Sequence, residues 1–153
     1  MEISSEEIVA QINSTREGSV WAVLDIKLVS AEKDKVVAIM PIGPNHRQQV
    51  GYLHGGVSVL LAESVASLGT VLNIDAERQM AFGLEINANH LRPKQDGQLT
   101  ATATLLYRGR TTYVWDIKLT DENDKLICIS RCTVAVVDRP PDKPPFKGAG
   151  TAT

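Results

Sequence analysis

One stretch of the chain, from Gly55 to Asn73, constrains the fold more than any other. It reads GGVSVLLAESVASLGTVLN, and Glu63 is its only ionisable side chain. Large apolar residues recur at helical spacing and form one broad stripe, which predicts a long helix that packs against a sheet. The residues of this stripe are Val57, Leu60, Leu61, Val65, Leu68, Val71 and Leu72.

The opposite side of this helix carries small residues instead of the lysines and glutamates typical of a surface helix. These residues are Gly56, Val59, Ala62, Glu63, Ala66, Ser67 and Thr70. A helix that is apolar or small on every side is buried on every side. One sheet covers only one side, so we expect the second side to meet another subunit.

The remaining pattern predicts an α+β domain. A capping signature at Ser5 indicates a short N-terminal helix, and two strands at 20–30 and 35–41 flank the polar turn at 32–34. Four further strands are predicted after the long helix, at 81–92, 98–108, 111–121 and 125–137. Because no helix separates these strands, we expect an antiparallel sheet. The domain is predicted to span 1–138, and the proline-rich segment 139–153 to be disordered or loosely draped.

Composition excludes several classes of protein. The chain has 153 residues, 43% hydrophobic and 22% charged, which fits one ordinary domain. A net charge of −2 provides no basic surplus, so we expect no nucleic-acid partner. The acidic N-terminus does not resemble a signal peptide, and Glu63 within the apolar helix argues against a membrane span. Cys128 and Cys132, four residues apart on one strand, are too far apart for a disulfide; two free thiols indicate a cytoplasmic protein.

Two features of the long helix bear on chemistry, and each has two interpretations. Glu63 is either salt-bridged across an interface or catalytic, and Ser67 lies one turn further on, where it would orient water or substrate. Gly55 and Gly56 at the helix start leave backbone N–H groups that favour an anion or a developing oxyanion. The alternative is that these glycines only permit close packing or a tight turn.

The segment NHRQQVGYLHGGVSVLLAES resembles the active-site segment of hotdog-fold acyl-CoA thioesterases. The similarity is to the subgroup that acts on 4-hydroxybenzoyl-CoA (the Arthrobacter type), on 1,4-dihydroxy-2-naphthoyl-CoA, or in enterobactin proofreading. It implies a hotdog fold, in which a curved antiparallel sheet wraps around one long central helix. It also implies a homodimer with a continuous sheet, two such dimers in a homotetramer, and an active site between subunits. No cofactor or metal is implied, because coenzyme A is part of the substrate.

The resemblance also implies catalytic roles. Glu63 acts as nucleophile or general base. The Gly55 N–H polarises the thioester carbonyl with help from Gln48. His54 orients the loop or contacts the acyl group, and Ser67 positions water or the acyl group.

The coenzyme A end of the substrate is expected along one strand and one hairpin. The residues implied are Gly83, His90, Leu91, Arg92, Pro93, Arg108, Gly109, Arg110 and Thr111. Arginines here, with Lys94, would supply positive charge for the phosphates, or would be ordinary solvated charges. The chain departs from its relatives at His90-Leu91, which bears on the contact with acyl-CoA, and at Gln49-Val50, which bears on the acyl pocket and so on the identity of the acyl group.

The function favoured by this pattern is hydrolysis of an acyl-CoA thioester, with an aromatic acyl group preferred over a medium-chain fatty acyl group. A hotdog hydratase or dehydratase is a weaker alternative, since it needs a histidine paired with an acidic residue at the reacting carbons. A non-catalytic acyl-CoA sensor is another, although such a protein normally carries an additional output domain.

Overall fold

The computed structural model describes residues 3–146, so part of the predicted tail, 147–153, lies outside the described residues. The helices are α1 (Ser5–Ser14), α2 (Val20–Val23) and α3 (Gly55–Val71), with one 3-10 turn at Pro44–His46. The strands are β1 (Lys27–Ala31), β2 (Lys35–Pro41), β3 (Gln79–His90), β4 (Gln98–Arg108), β5 (Thr112–Thr120) and β6 (Leu126–Asp138).

The six strands form one antiparallel sheet in the order β1-β2-β4-β5-β6-β3. The long helix α3 contacts five of them, β2 to β6, so the sheet wraps around the helix. The predicted α+β class, with an antiparallel sheet around one long helix, is confirmed. The order leaves β1 and β3 at the two edges, and β3 is the edge strand beside the candidate site.

The first predicted strand, 20–30, is wrong in its first half. Val20–Val23 is a short helix, and the strand begins only at Lys27. Asp25 lies between them with a φ of +50°, a left-handed conformation that turns the chain before the strand starts. Arg16 holds this turn, because its guanidinium bonds the Asp25 carboxylate at 3.2 Å and the Ile26 carbonyl at 2.8 Å.

The helix α1 is tied to the edge of the sheet by side chains. Ser4 and Glu7 form a capping box at its start, one residue before the predicted cap. Near its end, the Asn13 amide donates to the Leu28 carbonyl and accepts from the Leu28 N–H, both at 2.9 Å. These contacts fix the N-terminal helix against β1.

The predicted division of α3 into a large-residue face and a small-residue face is partly wrong. The buried side carries both kinds of residue: Ser58, Leu61, Ala62, Val65, Ala66, Leu68, Gly69 and Thr70. The reason is Trp115 on β5, which is fully buried against the helix. A Cβ at Gly69 would lie 2.5 Å from the Trp115 ring, and the indole N–H donates to the Thr70 hydroxyl at 2.9 Å. Small helix residues therefore face the sheet where this ring packs.

Candidate active site

Glu63 is half-buried in the middle of α3. Its carboxylate lies against the backbone of β3, where a Cβ at Gly83 would come within 1.9 Å of Oε1. The ladder between β3 and β6 shifts register just after Gly83, before Glu85. Among residues 3–146, no side chain or backbone group donates a hydrogen bond or forms an ion pair with Glu63. Within the described part of one chain, Glu63 therefore has no salt-bridge partner.

The carboxylate lines a cavity of about 670 Å³ between α1, α2 and the outer side of α3. The helix α3 contributes Gly56, Val59, Leu60, Glu63, Ser64, Ser67, Leu68 and Val71 to its wall. The rest of the wall consists of Ile12, Thr15, Arg16, Ser19, Trp21, Ala81 and Phe146. Glu63 and Ser67 thus share one cavity whose wall is mainly apolar, which is typical of a small-molecule site.

The start of α3 leaves one backbone donor open. His54 caps the helix, and its Nδ1 accepts the Gly56 N–H at 2.9 Å, which gives this histidine a local structural role. The Gly55 N–H has no acceptor within the chain from residue 3 to 146. A Cβ at Gly55 would lie 2.8 Å from His90 Nε2, so the missing side chain makes room for this ring. An unpaired N–H at a helix N-terminus is suited to an oxyanion.

Gln48 lies in the tight loop before α3. Its backbone N–H donates to the Tyr52 carbonyl at 2.8 Å, and its side-chain oxygen accepts the Val50 N–H. Within one chain this side chain is therefore engaged by its own loop.

The residues predicted to bind coenzyme A fall into three places. Gly83 lies against Glu63. The segment 90–93 lies at one end of the sheet, where His90 pairs with Cys128. The hairpin 108–111 lies at the other end. The two ends are separated by the length of β5, eight residue steps or about 27 Å. One chain does not bring these two groups together.

Most of the predicted phosphate-binding cations already have partners. Lys94, whose side chain is 9% exposed, bonds Glu122 at 2.8 Å, and this bond lowers the pKa of Glu122 to about 2. The Arg92 guanidinium donates to the Leu126 carbonyl at 3.1 Å, and that of Arg108 to the Asn73 side chain. Arg110 is exposed and is the cation in this set with no partner among the described residues.

The model of the family described as "Thioesterase superfamily" matches residues 50–128. The chain belongs to the thioesterase superfamily. A 1,4-dihydroxy-2-naphthoyl-CoA hydrolase of Listeria monocytogenes is 53% identical to this thioesterase over 113 residues, which cover 74% of the chain and 91% of the relative. The hydrolase of the same name from Escherichia coli is 39% identical, over 82% of the chain and 92% of the relative.

A solved structure supports the same assignment. The crystal structure of a mutant of the thioesterase PA1618 from Pseudomonas aeruginosa matches with a TM-score of 0.83 at 40% identity. The match covers 86% of this thioesterase and 94% of the solved chain. The hotdog fold and thioester hydrolysis, both expected from the sequence, are confirmed.

The two cysteines of this thioesterase are buried and free, as predicted. Burial, together with the nearby carboxylates of Glu63 and Glu85, raises the pKa of Cys132 to about 12. Burial also raises the pKa of Cys128. Thiols held neutral in this way do not serve as nucleophiles.

Most cavity residues of this thioesterase are absent from the sequence-based site, among them Ile12, Trp21 and Phe146. Trp21 belongs to the segment predicted as a strand, and Phe146 to the tail predicted to be disordered or loosely draped. The sequence signal that could have pointed to Trp21 and Phe146 is the rarity of aromatic residues, which make up only 5% of the chain. Within residues 3–146, no cluster of His, Cys, Asp and Glu is suited to a metal ion, and no helix is long and apolar enough to cross a bilayer.

Proposed function

We propose that this thioesterase hydrolyses an aromatic acyl-CoA to the free acid and coenzyme A, with Glu63 as the catalytic carboxylate. The observation that carries the proposal is an unpaired carboxylate on the wall of an apolar cavity. The names of the relatives from Listeria monocytogenes and Escherichia coli, both 1,4-dihydroxy-2-naphthoyl-CoA hydrolases, support an aromatic acyl group.

Glu63 acts in its ionised form by one of two routes. As a nucleophile, it attacks the thioester carbon, expels the coenzyme A thiolate and leaves a mixed anhydride for water to cleave. As a general base, it removes a proton from the water that attacks the same carbon. In both routes negative charge develops on the carbonyl oxygen. The Gly55 N–H and Gln48 stabilise that charge, and each well-placed donor is worth about 3 kcal/mol. Ser67, one turn from Glu63, orients the water or the acyl group.

The cavity is the site we assign to the acyl group. Its volume of about 670 Å³ lies in the range of small-molecule sites. A medium-chain fatty acyl group is the second candidate, because the cavity is elongated. Its α3 lining runs from Gly56 to Val71, 15 residue steps or about 22 Å along the helix.

A complete site requires two copies of the chain. Gly55 and Glu63 are eight residues apart on one helix, which separates them by about 12 Å along its axis. One thioester carbonyl does not contact both groups over that distance, so we propose that Gly55 and Gln48 of a second copy face Glu63. Among the described residues, no strand pairs with the outer edge of β3, and Phe82 and Leu84 on this strand are 51% and 67% exposed. Long exposed edge strands are templates for strand pairing.

Antiparallel pairing of two β3 strands would also bring together the two separated groups of predicted coenzyme A residues. Such pairing places the His90 end of one strand beside the Gln79 end of the other. The hairpin 108–111 lies at that second end, so 90–93 of one copy approaches the hairpin of its partner. We propose a homodimer built in this way, two of which form a homotetramer.

The experiment for Glu63 follows free thiol release from benzoyl-, dihydroxynaphthoyl-, phenylacetyl- and octanoyl-CoA. Glu63→Gln should lower kcat at least about 100-fold, since a catalytic acid or base alone contributes 10²–10⁴-fold. Glu32→Gln removes the same charge from an exposed turn and should retain full activity. Thiol release that survives Glu63→Gln contradicts the proposal. Tight binding without thiol release from any substrate would instead indicate an acyl-CoA-binding protein.

A complementation experiment tests the shared site. Gly55→Pro removes the N–H at the first position of α3, where proline is tolerated, and His54 already has a backbone conformation compatible with a following proline. Gly55→Ala keeps the N–H and controls for the new contact with His90. Refolding Gly55→Pro with Glu63→Gln should recover about one quarter of wild-type activity. Half of the randomly mixed dimers contain one copy of each variant. In such a hybrid, one of the two sites combines a wild-type Gly55 with a wild-type Glu63, so one quarter of all sites are intact. No recovery would mean that both groups act within one chain.

A further inference from the structure

The segment 139–146, which follows the last strand, returns to the cavity that contains Glu63. It has no helix or strand, yet its last described residue, Phe146, lines the cavity. The family match ends at residue 128, so this segment lies outside the matched residues. Its course is held by contacts with the turn before β3.

Arg139 anchors the segment to the turn before β3. Its backbone N–H donates to the Arg78 carbonyl at 2.8 Å, and its Nε donates to the Glu77 carbonyl at 2.7 Å. The same guanidinium also donates to the Lys143 carbonyl, across a bend closed by the Lys143 N–H and the Pro140 carbonyl at 3.1 Å. The Arg139 side chain is only 17% exposed. One partly buried guanidinium therefore joins the turn to the bend that redirects the chain.

Prolines stiffen the segment between this anchor and Phe146. Four of the chain's seven prolines lie here: Pro140, Pro141, Pro144 and Pro145. Each proline fixes its φ and so reduces the entropy that is lost when the segment is held in place. Phe146 follows the last proline directly, so the anchor controls where its ring lies.

We propose that Phe146 is a specificity-determining residue of the acyl site and that Arg139 is its positioning residue. The inference rests on the proposed function, because it takes the cavity as the acyl site. An aromatic ring in the cavity wall favours a planar aromatic acyl group, which stacks against it. The same ring takes up space that a longer aliphatic chain needs. The segment 139–146 thus selects aromatic over long aliphatic thioesters.

The test compares kcat/KM for benzoyl-CoA and decanoyl-CoA in the full chain. Phe146→Ala should lower the ratio of benzoyl to decanoyl activity about tenfold, the lower end of what a changed hydrophobic pocket contact gives. Arg139→Gln should lower the ratio to a similar extent, although Arg139 does not line the cavity. Lys143→Ala is the matched control, since only the backbone carbonyl of Lys143 contacts Arg139, and it should leave the ratio unchanged. The double variant of Arg139 and Phe146 should show no further change beyond Phe146→Ala.

The outcomes separate this inference from the proposed function. If the wild-type chain releases no thiol from any acyl-CoA, the proposed function fails and the inference fails with it. If the wild-type chain is active and Phe146→Ala keeps the wild-type ratio, only the inference is overturned. A ratio that changes for Phe146→Ala but not for Arg139→Gln removes the positioning role. Phe146→Leu, which keeps an apolar side chain without the ring, should fall between wild type and Phe146→Ala, and urea unfolding checks that every variant is folded.

Discussion

The contact between Gly83 and Glu63 allows a sharp test of the site, because one added methyl group should displace the catalytic carboxylate. A Cβ at position 83 would lie 1.9 Å from Glu63 Oε1, and real Cβ contacts are essentially never shorter than 3.0 Å. The oxygen must therefore retreat by at least 3.0 − 1.9 = 1.1 Å. A displacement of about 1 Å costs about 100-fold in rate, equivalent to about 2.7 kcal/mol of transition-state stabilisation.

The stability of Gly83→Ala should be nearly unchanged. The displaced atoms are the end of a flexible side chain, and alanine is no worse than glycine within a strand. We expect kcat for thiol release to fall about 100-fold, while the free energy of unfolding in urea stays within about 0.5 kcal/mol of wild type. Gly43→Ala is the matched control, because its Cβ would meet nothing closer than His46 Nδ1 at 3.8 Å. A Gly83→Ala variant with wild-type kcat would refute the placement of Glu63 as catalyst.

Three further predictions concern the core, one thiol and one ion pair. Gly69→Ala should lower the free energy of unfolding in urea by about 1–3 kcal/mol, because its Cβ would lie 2.5 Å from the buried Trp115 ring; an unchanged urea midpoint would contradict this packing. Because the pKa of Cys132 is raised to about 12, its thiol should resist alkylation by iodoacetamide at pH 8 in the folded protein and react in urea. Mass spectrometry measures the labelling, and rapid labelling of the folded protein would contradict the raised pKa. Glu122, with its pKa lowered from 4.5 to about 2, contributes stability above pH 4.5 that is lost as the pH falls towards 2. Lys94→Met should return the carboxyl titration seen by NMR towards pH 4.5, and an unmoved titration would show that Lys94 is not the cause.

Features that depend on local periodicity could be predicted from the sequence. Alternating apolar residues located β2 to β6 and the second half of the first predicted strand, and helical spacing located α3 within two residues of its end. Glu63 and Ser67 lie one turn apart on a single helix, so their common placement follows from helix geometry alone. These predictions needed no knowledge of distant partners.

Features that depend on distant contacts could not be predicted. The small residues of α3 face the sheet because Trp115, which lies more than forty residues further along the chain, packs there. Gly83 meets Glu63 only because the register of β3 places it beside α3. The segment that carries Phe146 follows from the contact of Arg139 with Glu77, 62 residues earlier. Such contacts leave no periodic trace in the sequence.

The two sides of α3 have a consequence for how this chain can diverge. The inner side is packed against Trp115, so changes at Ala62, Gly69 or Thr70 alter the core and are removed by selection for a folded protein. The outer side lines the cavity with side chains such as Val59 and Ser64, where substitution alters the shape of the cavity and costs little core packing. Descendants of this sequence can thus acquire new substrates through a few replacements on one side of one helix, while the scaffold stays the same.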